Sequence, residues 1–316
     1  MDSPSAKTSS AVRAAPWAIL ACLLWSSAFA GVKIGLAYVP PLTFAGMRFI
    51  LAGCLLLPFC GGPRGVASTL RRHGRLVLTV SFFQTIVLYG AFFWGMSLVG
   101  GAQGAVIIGA SPLAAALLAH FFMADDRMTL GKAGTIALGM AGVVVLAAAR
   151  QPWEPAGQRE LAGMGLLLIS VVSSAAAGVT VARHRREINP LALNSLQMGL
   201  GGVVLLALGM VVDGPPRALP PLEFFGALLW LASISAAGFS IWFTWLRRVK
   251  VSQLNMWKFL IPLFGAGLSW LLVEGESPDV PTAAGMVCVA TAVLVNQLLT
   301  LREERRAARG PVPGAT

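Results

Sequence analysis

Long apolar runs alternate with short polar gaps along this chain. Each run is near the roughly 20 residues that an α-helix needs to cross a bilayer. Ten such runs are found: 16–37, 41–60, 76–97, 102–122, 131–149, 162–182, 190–212, 222–246, 252–273 and 281–301. The gaps carry ordinary stop signals, as in Tyr38-Val39-Pro40-Pro41, Gly61-Gly62-Pro63 and Asp213-Gly214-Pro215-Pro216. Alternating barrel strands of about ten residues are absent, so the spans are read as helices. The pattern predicts an all-α polytopic membrane protein with ten transmembrane helices.

A second pattern lies on top of the first. Gln103, Pro112, Leu113 and Asp126 recur 150 residues later as Gln253, Pro262, Leu263 and Glu276. Upstream, the run from Ser26 to Val32 is answered by Ser173 to Val179, and Pro41-Leu42 with Arg48 by Pro190-Leu191 with Gln197. The echoes keep their order, so the chain reads as one unit written twice. The division is a tail over 1–15, a first repeat over 16–149, a linker over 150–161, a second repeat over 162–301 and a tail over 302–316. Five spans per repeat is an odd number, which inverts the second copy relative to the first. Inverted repeats around a midplane site are a common construction of secondary transporters.

Composition agrees with the bilayer as solvent: 56% of residues are hydrophobic and only 12% charged, against about a quarter charged in soluble domains. The net charge of +11 is a topology signal rather than a nucleic-acid surface. Of the 24 lysines and arginines, 18 fall on the side of the N-terminus. Three (Arg150, Arg159, Arg217) fall on the other side, and three (Lys33, Arg48, Lys258) lie within spans. The positive-inside rule then places both termini in the cytoplasm, with anionic headgroups as neighbours. The four cysteines show no ligand spacing and read as small packing residues. No cofactor or metal is expected, and no ATP-hydrolysing module is inserted. The expected partners are the lipid bilayer and a small-molecule substrate, for a monomer or homodimer.

Trp25-Ser26-Ser27-Ala28-Phe29, the run from Pro41 to Phe49, and Ser111-Pro112-Leu113 through Asp126-Arg127-Met128-Thr129 resemble the EamA-type branch of the drug/metabolite transporter superfamily. The resemblance runs through both repeats. It implies ten helices as two inverted five-helix repeats, and a central pore lined largely by the first, third, eighth and ninth helices. Many bacterial members export amino acids, related metabolites or toxic organic compounds. The family usually has Glu where this chain has Asp126, and Gln197 stands where a second arginine is expected.

No Asp or Glu lies inside any predicted span, which disfavours a proton–carboxylate relay and a pump for polyvalent cations. Pro112 and Pro262 sit near the midplane and free the carbonyls of Ile108 and Lys258, so both are read as kinks beside a cavity. Lys258 offers an ammonium next to one of those carbonyls, a pair suited to a zwitterion; the alternative is snorkelling to the nearby headgroups. Arg48 and Lys33 are read either as vestibule cations or as an interhelical clamp and a snorkelling lysine. His120, the only span histidine, is either a titrating group or a plain interfacial one. Trp25, Tyr89, Phe92 and Trp242 can wall a pocket and contact an ammonium, or pack against lipid. Gln84, Asn255 and Ser27 complete the pore-lining candidates, since amides are costly in lipid.

The expected function is a secondary transporter that exports amino acids or similar zwitterions by alternating access, through facilitated diffusion or exchange without ATP. An organic-anion or phosphate-ester exchanger is the first alternative, because every charge within the spans is positive. A membrane enzyme or lipid scramblase is a more distant one, since no Ser/His/Asp or paired-carboxylate constellation is visible.

Overall fold

The computed structural model describes residues 10–99, 101–148, 157–184, 188–214, 220–272 and 280–308. Ten helical passes run through them. They are α1 (Ser10–Leu36), α2 (Pro41–Leu56, closed by a 3-10 turn Leu57–Cys60), α3 (Gly62–Met96), α4 (Gly101–Gly109 and Ser111–Phe122) and α5 (Leu130–Ala148). The second set is α6 (Gln158–Arg183), α7 (Pro190–Val212), α8 (Leu222–Leu246), α9 (Val251–Met256, a 3-10 turn Trp257–Phe259, and Leu260–Leu272) and α10 (Val280–Ala308). Eight of these are long and apolar enough to cross a membrane. With α1 and the broken α9 they make the ten passes of a multi-pass membrane protein.

Several helix ends differ from the hydropathy reading for one physical reason. A helix can continue past the hydrocarbon, where polar residues no longer register as span. Thus α1 begins at Ser10 rather than 16, α6 at Gln158 rather than 162, and α10 runs to Ala308 rather than 301. The largest change is in α3, expected over 76–97. Its helix begins at Gly62 and carries a basic lead-in that breaks at His73 (φ −126°, ψ 24°) before the span proper. Gly61, at φ 77°, supplies the left-handed turn that lets α3 leave α2. Prolines open α2, α3 and α7, where a missing N–H costs no helical bond. Asn189 caps α7 by accepting from the Leu191 N–H at 2.9 Å.

The packing order carries the duplication into space. α1 lies on α8 as α6 lies on α3, and α1 meets α9 as α6 meets α4. The equivalent helices α2 and α7 pack on each other, as do α5 and α10. This is the contact set of two inverted five-helix repeats about a two-fold axis.

Without a hydrophobic force between helices in lipid, such contacts depend on close backbone approach. A methyl group on Gly46 would sit 2.5 Å from the Leu206 amide, and one on Gly209 2.5 Å from that of Thr43, so α2 and α7 meet backbone to backbone. Ser195 adds a bond across that seam, its hydroxyl donating to the Gly53 carbonyl at 2.8 Å. On α5 and α10, Gly142 and Gly285 interlock in the same way. Those glycines therefore serve packing within the chain.

Candidate functional site

The site begins at the two helix breaks. In α4 the helix pauses at Ala110, and the freed carbonyl of Ile108 is taken by the hydroxyl of Ser111. Pro112 is buried at the start of the next piece. In α9 a 3-10 turn over Trp257–Phe259 precedes Pro262. There the neighbouring helix ties down the turn: the Ser26 hydroxyl of α1 lies 2.9 Å from the Ile261 carbonyl and 2.8 Å from that of Cys22. The Cys22 thiol donates to the Trp257 carbonyl at 3.2 Å. Breaks deep in a bilayer require such partners, because no water is available there to satisfy backbone groups.

Lys258 lies on the 3-10 turn of α9. Its Nζ stands 5.3 Å from the ring centroid of Trp242 on α8, and 3.5 Å from the Ser174 hydroxyl of α6. The side chain thus reaches from α9 toward α6 and α8, all three helices of the second repeat. Trp242 is 4% exposed and packs on Trp25 at 5.1 Å between ring centroids; Trp25 also meets Phe239 at 5.2 Å. The Trp25 indole N–H is buried without a partner and lies against Gly238, where a side chain would collide with it at 2.8 Å. An ammonium, a hydroxyl and an aromatic wall are therefore gathered around one turn. This set can take an anionic group at Lys258 and an apolar group against the rings.

Arg48 centres a second cluster on α2. Its Nε donates to the Ser235 hydroxyl of α8 at 2.8 Å, and its guanidinium lies 5.3 Å from the Phe49 ring. Phe49 in turn meets Tyr89 at 4.4 Å, and Tyr89 continues to Phe93 and Phe92 at 6.3 and 6.5 Å. Among the described residues no carboxylate pairs with Arg48.

The other sequence candidates fall outside these two groups or turn inward. Gln84 is 5% exposed on a π-helical stretch of α3, Ser81–Val87. Asn255 is equally buried, and its Nδ2 donates to the Val251 carbonyl of its own helix at 2.9 Å. Ser27 likewise donates to Leu24 on α1 at 2.8 Å. His120 closes the turn after α4: its Nδ1 accepts from the Met128 N–H at 3.0 Å, while Arg127 donates to its carbonyl at 3.1 Å. Lys33 lies on α1, and its side chain is outside the described residues, as is Glu276.

Three contributors were absent from the sequence list of site residues. Ser174 and Ser26 belong to the serine pairs that echo between repeats, a signal that was visible but had no partner until the helices packed. Gln197, fully buried on α7, accepts from Thr85 of α3 and donates to Asn194 at 3.2 Å. It occupies the place of the missing arginine as a neutral polar contact between the repeats.

Both halves of the chain match the EamA-like transporter family, over residues 12–148 and 161–297. The chain belongs to that family. Among its relatives, the uncharacterized transporter YoaV of Bacillus subtilis is 21% identical over 275 residues, spanning 87% of this chain and 93% of YoaV. A relative from Salmonella typhimurium, named "Probable amino-acid metabolite efflux pump", is 25% identical over 288 residues, 88% of this chain and 93% of its own. The inner membrane transporter YedA of Escherichia coli, also uncharacterized, is 28% identical over 265 residues, 78% of this chain and 79% of YedA. A solved crystal structure shares the fold with a TM-score of 0.75 at 20% identity, covering 93% of this chain and 99% of that one. Each matched stretch runs through five of the ten helical passes.

Proposed function

We propose that this EamA-family member is a secondary transporter of the bacterial inner membrane that exports amino acids or similar small zwitterionic metabolites. It alternates access to a central site without ATP, by facilitated diffusion or exchange, with its termini in the cytoplasm. The observation that carries the reading is the setting of Lys258: an ammonium 5.3 Å over Trp242 whose polar contact to Ser174, at 3.5 Å, is a long one. Such a group has bonding capacity to spare for a carboxylate, and Trp25, Phe239 and Trp242 offer faces for a side chain and an ammonium. The name of the Salmonella relative points the same way.

A second reading, an organic-anion or phosphate-ester exchanger, is favoured by one observation: neither Arg48 nor Lys258 pairs with a described carboxylate. Counterflow in proteoliposomes separates the two. Neutral amino acids should load and exchange, while phosphate esters do not. The opposite result would overturn the amino-acid assignment and leave the anion exchanger standing.

A further inference from the structure

Away from the central cluster, one buried carboxylate joins the two repeats at the end of the bundle that carries the termini. Asp126 stands in the turn after α4 and is 1% exposed. Lys132 of α5 donates to its Oδ1 at 2.8 Å and to the Arg127 carbonyl at 3.0 Å. From the other repeat, the Ser252 N–H donates to Oδ2 at 2.8 Å, and the Ser252 hydroxyl also bonds the carboxylate. Ser252 is the second residue of α9, where helix N–H groups lack helical partners and the dipole favours an anion.

The surrounding packing is uneven along the same two helices. Val251–Met256 of α9 is buried throughout and packs on Ser111–Phe122 of α4. Among the described residues, the opposite pieces, Gly101–Gly109 and Leu260–Leu272, make no comparable contact with each other. Among the described residues the seam between α4 and α9 is therefore shut at this end, and Asp126 makes a polar bond across it.

We infer that Asp126 is a gate residue of the transport cycle, an inference that rests on alternating access as proposed above. Opening this end requires the inner pieces of α4 and α9 to part. Lys132 belongs to the same repeat as Asp126 and stays with it, so the carboxylate remains neutralised in both states. The bonds to Ser252 are made only in the closed state, and interactions made in one state alone set the balance between the two. Removing them shifts the closed-to-open ratio by about tenfold or more.

Spin-label distances in the purified full-length protein, without substrate, test this directly. One label pair sits at Phe122 and Arg248, exposed beside the shut seam; the other sits at Ala105 and Gly267 on the opposite pieces, where a side chain at 267 meets open space. With Asp126→Asn, the first distance should gain a longer population while the second gains a shorter one. Ser252→Ala, which leaves the Asp126–Lys132 pair intact, should do the same to a smaller extent. Asp126→Glu should restore the original distribution. Unchanged distances in both weakening variants overturn the inference. So does a longer first distance with the second unmoved, which would mark local fraying. No cargo enters the measurement, so a failed amino-acid assay and a failed gate are separate results.

Discussion

Two of the span cations, whose side chains are described, each stand 5.3 Å from an aromatic ring: Arg48 from Phe49, and Lys258 from Trp242. Their surroundings also correspond, since Tyr89, Phe92 and Phe93 of the first cluster stand 150 residues before Phe239, Trp242 and Phe243. The difference is in what each cation has left to give. Arg48 spends its Nε on Ser235 at 2.8 Å, joining α2 to α8, whereas Lys258 holds, among the described residues, a 3.5 Å contact to Ser174. A side chain already bonded between helices works as a clamp. One with spare donors, on a helix break, works as a receptor. The copies share an aromatic scaffold, and their chemistry separates where the bonding does.

The most damaging change should be Lys258→Met. Loss of a charge-assisted bond is worth about 1.5–3 kcal/mol, so transport at low substrate should fall by roughly 10- to 100-fold. Thermal stability should hold, and Lys258→Arg should recover part of the activity. Uptake and melting curves on the same preparations would read both. Equal loss from Arg48→Met, with no change in melting, would erase the distinction between clamp and receptor.

Next in size is Trp242→Ala, which removes the ring beneath the ammonium. A desolvated cation–π contact is worth about 2 kcal/mol, and substrate affinity should weaken by about tenfold or more. Trp242→Phe should lie between. On the clamp side, Ser235→Ala should cost about 0.6–1.7 kcal/mol of stability, as interhelical bonds in membranes do. Its substrate range should stay unchanged, a point that a competition panel checks. The smallest effect belongs to Ser174→Ala: a 3.5 Å contact is at the limit of a bond, so affinity should move by less than about threefold. A larger loss would mean that Ser174 touches the cargo itself.

The ten passes were legible because hydrocarbon thickness imposes a length that any window of apolar residues reveals. Inversion followed from the odd number of spans in each repeat. The basic lead-in of α3 escapes a reading by apolar run length, because its mean hydropathy is low and its signature is an amphipathic period instead. The prolines marked both breaks, yet nothing local distinguishes the 3-10 turn at Trp257–Phe259 from the tight pause at Ala110. Lys258 and the aromatic run stood out in the sequence as rare residue types. Ser174 and Ser26 did not, because a serine in a membrane helix usually bonds its own backbone, as Ser27 does. Their roles arise only from contacts with α9, which Ser26 meets from the other repeat and Ser174 from the same one.

The two joints also differ in who holds them shut. α4 seals its own break with Ser111, through a bond within the helix. The break in α9 is sealed from α1, through Ser26 and Cys22. Any swing of the outer piece of α9 must snap that seal or drag α1 along, and Trp25 rides on α1. The wall of the pocket and the joint beneath it are thereby yoked, so a stroke of α9 reshapes the pocket in the same movement.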